Sequence, residues 1–371
     1  MNARIIVPGL CALLISLETQ GGEFDGLLSQ PDPGFAKGSP ILGGTPPATR
    51  GWRVGFGFAP LIGAEAEFSG LGVYRNPYSP QPLGSGQNHN YDDGFVRVDS
   101  TGNAGGTTWN WGNSNANQYD SAGGGTMPFS ISNSLANGKA SDEDDSAPGF
   151  EVFAYYDMGE LPALNFGAGP ARWGMKATFH YANIGIDNSG ALGSGINTYT
   201  DSFDLDGVVP PQAPYTGSFN GPGPGLSDSP TRSDATYSNG ATVTGNRDLD
   251  VNLFGLSVGP YLELPLTQRL TVNLEGGVGL AIVDGEYDFN SRTTIPGTGT
   301  QTNRGRASET RVIPGVSAGL TALYRVTDVW SAYAGARYQY YSQFEIDAGD
   351  SEAELDFGNA FILSLGAVYQ Y

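Results

Sequence analysis

Few residues of this chain are suited to catalysis or to holding a ligand. There are two histidines, His89 and His180, and one cysteine, Cys11, in 371 residues. One cysteine forms no disulfide within the chain and supports no zinc or iron–sulfur cluster. His180 shares a strand face with Lys176 in RWGMKATFHYA, but no serine or aspartate can be named as the partner a hydrolase needs. A hydrogen-bonded interior histidine is the expectation, and the chain is read as no enzyme. Carboxylates concentrate in SDEDDS at Ser141–Ser146 and at Asp201, Asp204 and Asp206. The second group, followed by Gly207, echoes a calcium loop. Its first ligand position falls on Ser202, however, and Ala213 stands where the closing glutamate belongs. No metal and no cofactor is expected. Trp109 and Trp111 alternate in TTWNWGNSN. They read as an aromatic pair packing a loop onto a rim, with a sugar-stacking platform as the sharper alternative.

Composition narrows the classes. The net charge is −20, which argues against nucleic acid. Hydrophobic residues at 39% and aromatics at 11% exclude a disordered acidic chain. The 56 glycines follow no triplet period, so the chain is not collagen-like. Residues 1–20 read as a signal peptide, with Arg4 ahead of an apolar run from Ile5 to Ile15. Leu10 before Cys11 does not fit a lipoprotein site. Residues 21–50 are rich in Gly, Pro and Ser and read as a flexible linker.

From residue 51 the hydrophobic period is two. Trp52, Val54, Phe56, Phe58, Ala64, Ala66 and Phe68 oppose Arg53, Gly55, Gly57, Glu65 and Glu67. The same alternation recurs over 149–158, 171–186, 249–264, 269–289, 309–325, 329–345 and 353–371, with a phase change near Leu253–Phe254 that suggests a bulge. These runs exceed the usual five or six residues, and one face is apolar while the other is small or charged. That arrangement predicts an all-β fold, a transmembrane antiparallel up-and-down barrel of eight strands, apolar outward and polar inward. Short turns near 161–168, 265–268 and 326–328 alternate with long outside loops, above all 74–147 and 188–246. Phe95–Asp99 and Thr107–Trp111 are too short to span a bilayer and are placed outside. Inserting them gives the alternative of ten to twelve strands.

Two features orient the barrel. Trp52, Trp173 and Trp330 begin upward strands, while Tyr261 and Tyr324 end downward ones, predicting an aromatic girdle at the inner interface. Trp330 to Tyr340 spans roughly 33 Å of strand, or ~25 Å once tilted, the height of a lipid-facing band. The predicted lumen charges are Arg53, Glu65, Glu67, Glu151, Arg172, Lys176, Glu275, Arg311, Arg325, Arg337, Glu354 and Asp356. Mixed charges in a narrow barrel must pair, which favours a filled interior.

The chain ends in SLGAVYQY. Ser364, Gly366, Tyr369 and Tyr371 resemble the assembly signal of bacterial outer-membrane barrels, with Tyr in place of the more usual final Phe. By pattern over 51–72 and 148–371, the chain resembles the small eight-stranded OmpA/OmpX-like barrels. The resemblance implies location in the bacterial outer membrane and insertion by the barrel assembly machinery, with lipid and lipopolysaccharide as surroundings. A structural or surface-interaction role through the loops is the functional expectation. A porin or small-solute channel of 10–12 strands is the alternative, and a secreted soluble β-sandwich is a third class.

Overall fold

The computed structural model describes residues 51–121 and 125–370. The expected signal peptide and the expected linker, with Tyr371, lie outside the described residues. Eight antiparallel strands form the wall: β1 (Trp52–Phe58), β2 (Gly149–Phe166), β3 (Gly169–Asn188), β4 (Thr231–Pro265), β5 (Leu270–Ile295), β6 (Gly299–Arg325), β7 (Trp330–Tyr341) and β8 (Phe361–Gln370). Each pairs with its chain neighbour, and β1 pairs with β8, so the ring closes. Closure leaves no unpaired strand edge in hydrocarbon, where a bare N–H or C=O would cost several kcal/mol. The ten-to-twelve-stranded alternative is thereby corrected: Gly94–Val96 pairs with Trp111–Asn113 in a small separate sheet.

Strands β4, β5 and β6 run 35, 26 and 27 residues, although a tilted strand crosses a bilayer in about 9–11. Where they leave the lipid is written in their side chains. On the outer face, Tyr181, Phe254, Ile282 and Val312 are cross-strand partners in one row. The next row outward is Asn183, Asn252, Asp284 and Thr310. Below this boundary the outer face is apolar, as at the exposed Leu274, Val278, Leu280, Val316 and Leu320. Above it, the inner face becomes the dry one. Ala182, Ile184, Val251, Leu253, Val283 and Tyr287 are buried in an apolar core.

This inversion corrects the expected bulge near Leu253–Phe254. The ladder between β3 and β4 runs without a shift from Arg172↔Glu263 to Asn188↔Arg247. The backbone phase is constant, and the hydrophobic pattern changes sides because the solvent changes from lipid to water.

β1 solves the same problem differently. Pro60 and Gly63 (φ 79°) interrupt the strand, and the side-chain phase flips. Ala64, Ala66 and Phe68 are buried, whereas Glu65 and Glu67 face solvent. The turn at 357–360 does the same before β8, leaving Ala353 and Leu355 buried and Glu354 and Asp356 on the outer side. These four acids, predicted as lumen charges, are therefore corrected to the exterior. The segments Ala64–Leu71, Gly138–Asp144, Phe344–Ala348 and Ser351–Asp356 form a four-stranded sheet that continues the wall above the membrane.

The two faces of β5 predict opposite tolerances. Val278→Arg, in the middle of the lipid-facing band, should cost about 2–4 kcal/mol. Asn290→Arg, on the same face twelve positions later, should cost less than about 1 kcal/mol, as an exposed surface change does. Urea unfolding of both variants in lipid vesicles measures the difference.

Candidate functional site: a filled lumen beneath a folded cap

Inside the membrane-spanning ring, charged side chains meet in pairs. Arg53 Nη2 lies 2.5 Å from Glu263 Oε2, Lys176 Nζ 2.6 Å from Glu275 Oε2, Arg172 Nη2 2.8 Å from Asp157 Oδ2, and Arg337 Nη1 3.0 Å from Glu151 Oε2. Tyrosines complete the shells. Tyr333 donates to Glu151 at 3.0 Å, Tyr155 donates to Glu275, and Arg53 donates to the Tyr261 hydroxyl at 3.1 Å. Lys176 also sits over the Phe153 ring at 4.4 Å. Such shells matter because a buried charge is tolerated only when paired and hydrogen-bonded.

Glycines make the room. A Cβ on Gly55 would meet the Phe153 ring at 2.2 Å, and one on Gly57 would meet the Tyr333 hydroxyl at 2.5 Å. On the opposite wall Gly259, Gly277, Ser317 and Gly319 leave space beside Lys176, Glu275 and Arg337. The space that remains there is about 20 Å³, enough for roughly one water. His180 is buried with its Nε2 2.9 Å from the Ala59 carbonyl oxygen.

The structure brings together Arg53, Glu151, Arg172, Lys176, Glu275 and Arg337 among the predicted lumen residues. Arg311 keeps the inward phase but lies partly exposed above the membrane, paired with Glu309. Arg325 lies at the short-turn end of β6. Glu263, Tyr155 and Tyr333 are lumen residues that the sequence reading missed. Unbroken alternation through β4 would have placed Glu263 inward.

Of the predicted girdle, Trp52, Trp173, Trp330 and Tyr324 are exposed on the outer face near the short-turn end. Trp52 packs on Tyr156 and Trp330 on Tyr369, each pair with ring centres 5.0 Å apart. Tyr261 is corrected from the girdle to the lumen: it is 2% exposed and bonded by Arg53.

The long outside segments fold into a cap. Thr126–Ser134, Leu192–Asp204 and the upper part of β4 make a three-stranded sheet. Its core gathers Tyr91, Trp111, Met127, Phe129, Phe203 and Leu226. Trp111 is fully buried, so Trp109 and Trp111 do not form a sugar platform. Asp201 takes both arms of Arg232 at 2.7 Å and the Tyr91 hydroxyl at 2.7 Å. Burial raises the Asp99 carboxyl, but hydrogen bonds from Thr101, Asn103 and Trp109 outweigh it and hold the group below its usual range. Burial pushes Asp93 up to about 6 against the Ser130 N–H. Burial lowers His89, with Asp201 pulling the other way. Both His89 ring nitrogens lack a protein partner.

Outside the wall, Glu345, Glu352 and Glu354 bring carboxylate oxygens within 4.8 Å of one another. Burial, then Glu345 and Glu67, raises Glu354. Exposed acidic groups of this kind are common, and nothing else there points to an ion.

No family profile matches the chain, and no curated protein does. Among solved structures it is similar to the outer membrane protease OmpT from Escherichia coli, at 10% identity and a TM-score of 0.33, covering 87% of this chain and 98% of that one. It is also similar to Ail, the attachment invasion locus protein of Yersinia pestis, at 10% identity and a TM-score of 0.26, covering 87% and 100%. A FadL homologue of Pseudomonas aeruginosa follows at 10% identity and a TM-score of 0.17, covering 85% and 90%. At these distances the fold rests on the closed ring itself. The expectation of no enzymatic role is withdrawn, since one of the structures the chain is similar to is a protease; a barrel fold by itself neither assigns nor excludes catalysis. The ring, its lipid-facing band and the short turns at one end make the chain a transmembrane barrel of the bacterial outer membrane.

Lys176→Met leaves Glu275 buried with one tyrosine. It should destabilise the barrel by about 3–5 kcal/mol, and Lys176→Met with Glu275→Leu should recover most of that loss. Equilibrium unfolding in lipid vesicles measures both.

Proposed function

We propose that the protein is a closed outer-membrane stalk that holds a folded cap at the cell surface for interaction with other molecules. The observation that carries this reading is the dry core directly above the lumen. Leu61, Phe68, Leu253, Val283, Phe344 and Phe357, all within 1% of full burial, fill the barrel where a channel would have to continue. The filled lumen below supports the same reading. A porin would ask for an open path, and an eight-stranded ring encloses only enough space for side chains.

In this reading Ser364, Gly366, Tyr369 and Tyr371 serve as the assembly signal for the barrel assembly machinery. Gly366 has a second use, since a Cβ there would meet the Phe56 carbonyl oxygen across the closing seam at 2.1 Å. Outer-membrane lipid and lipopolysaccharide surround the wall.

Purified protein in planar bilayers should give no stable conductance steps, and an antibody against residues 205–230 should label intact cells. Stable openings would favour the porin reading, and unlabelled cells would remove the surface role.

A further inference from the structure

One strand edge in the cap is left open. β5 accompanies β4 only as far as the pair Thr242↔Thr294 and ends at Ile295. Above that level β4 is paired on one side alone, by Leu192–Asp204. Among the described residues no strand pairs along its other side. Every residue from Ser233 to Asn239 is exposed, so neither face of the strand is covered. An edge of this kind presents a row of unpaired N–H and C=O groups ready to accept another strand.

The opposite edge of the same sheet is treated differently. There Asp93 Oδ1 accepts the Ser130 N–H at 2.9 Å, and Asp92 Oδ2 accepts the Ser132 N–H at 2.8 Å. The Asp92 N–H donates to the Ser130 carbonyl oxygen at 2.9 Å. One edge is closed by dedicated side chains, while the other is interrupted only by a bulge at 238–240, opposite Ser194–Ile196. Residues 231–241 contain no proline and no lysine. Arg232 is engaged by Asp201, which leaves Asp234 as the charge on the edge. Across the loop segments 74–147 and 188–246, acids outnumber bases thirteen to four.

We propose that the free edge of β4 from Thr231 to Tyr237 is a strand-addition site for an extended basic segment of another protein. Beyond the bulge, the incoming segment resumes the antiparallel pairing that β5 abandons at Ile295. Main-chain hydrogen bonds hold it, the exposed Tyr237 offers an aromatic surface beside it, and the acidic cap selects its charge. This inference rests on the surface-interaction reading. A conducting barrel would defeat that reading and leave the edge as it is, whereas the following experiment defeats the edge alone.

The full chain in lipid nanodiscs is mixed with the capped peptide (Lys-Thr)4, and backbone amide exchange is followed across residues 231–237. Two control peptides are (Lys-Thr)4 with alternate amides N-methylated, which keeps the charge and blocks pairing, and (Glu-Thr)4. The expected result is at least tenfold slower exchange with (Lys-Thr)4, no change with the N-methylated peptide, and at least tenfold weaker binding of (Glu-Thr)4. Asp234→Lys should weaken (Lys-Thr)4 binding several-fold without altering the heat-modifiable gel mobility of the barrel. Unchanged exchange would overturn the proposal. So would equal protection by the N-methylated peptide, which means charge attraction alone. Protection that grows with protein concentration in the absence of peptide would also overturn it, since a second copy would then be the occupant.

Discussion

A backbone crossing hydrocarbon must pair every one of its polar groups, and three strands of this barrel keep the same ladder going long after they have left the lipid. That continuity dictates much of the structure. A strand has only two faces. In the bilayer the outward face must be apolar, and in water the inward face must be. β5 meets both demands without a break. Leu274, Val278, Leu280 and Ile282 face lipid, and then Val283, Tyr287 and Phe289 face the interior while Asp284, Glu286 and Asp288 face water. β1 and β8 meet them by breaking the ladder at Pro60–Gly63 and at 357–360 and restarting it in the other phase.

The interior follows from the same constraint. Within the membrane the outward face absorbs the apolar side chains, so the small lumen is left with polar ones. Eight strands enclose too little space for these to be hydrated, and they pair instead. Glu151 and Glu275 each receive one base and one tyrosine hydroxyl. Gly55 and Gly57 stand under the rings that reach across. Above the boundary the lumen fills with aliphatic and aromatic side chains, so the polar network ends against a dry plug and the cap rests above it.

Much of the wall was legible in the sequence because lipid imposes a strict period of two. Strand number, direction and the pairing of β1 with β8 follow from it, as do Arg53, Glu151, Arg172, Lys176, Glu275 and Arg337 as inward residues. The errors share one cause. Alternation reports which residues are apolar and not which solvent surrounds them. Ala64, Ala66 and Phe68 continue the pattern of Trp52 to Phe58 in text, yet they point the opposite way, and that sent Glu65 and Glu67 to the wrong side. At Leu253–Phe254 the reverse occurred, and a change of solvent read as a change of backbone. Tyr261 and Glu263 were lost to that mistaken bulge. The cap was less legible still. Its strands, such as Leu192–Asp204, are polar on one face and pair with a segment about 60 to 80 residues away, and a contact of that range leaves no local signature.

The inversion along β5 can be measured directly. Single cysteines placed at each position from 272 to 290 in a Cys11→Ser background, labelled with a fluorophore in lipid vesicles, report their surroundings by quenching. Lipid-borne quencher should reach the even positions through 282 and water-borne quencher the even positions from 284 onward, with odd positions shielded from both. Lipid quenching that continues through 284, 286 and 288, or water quenching at 278 and 280, would contradict the account.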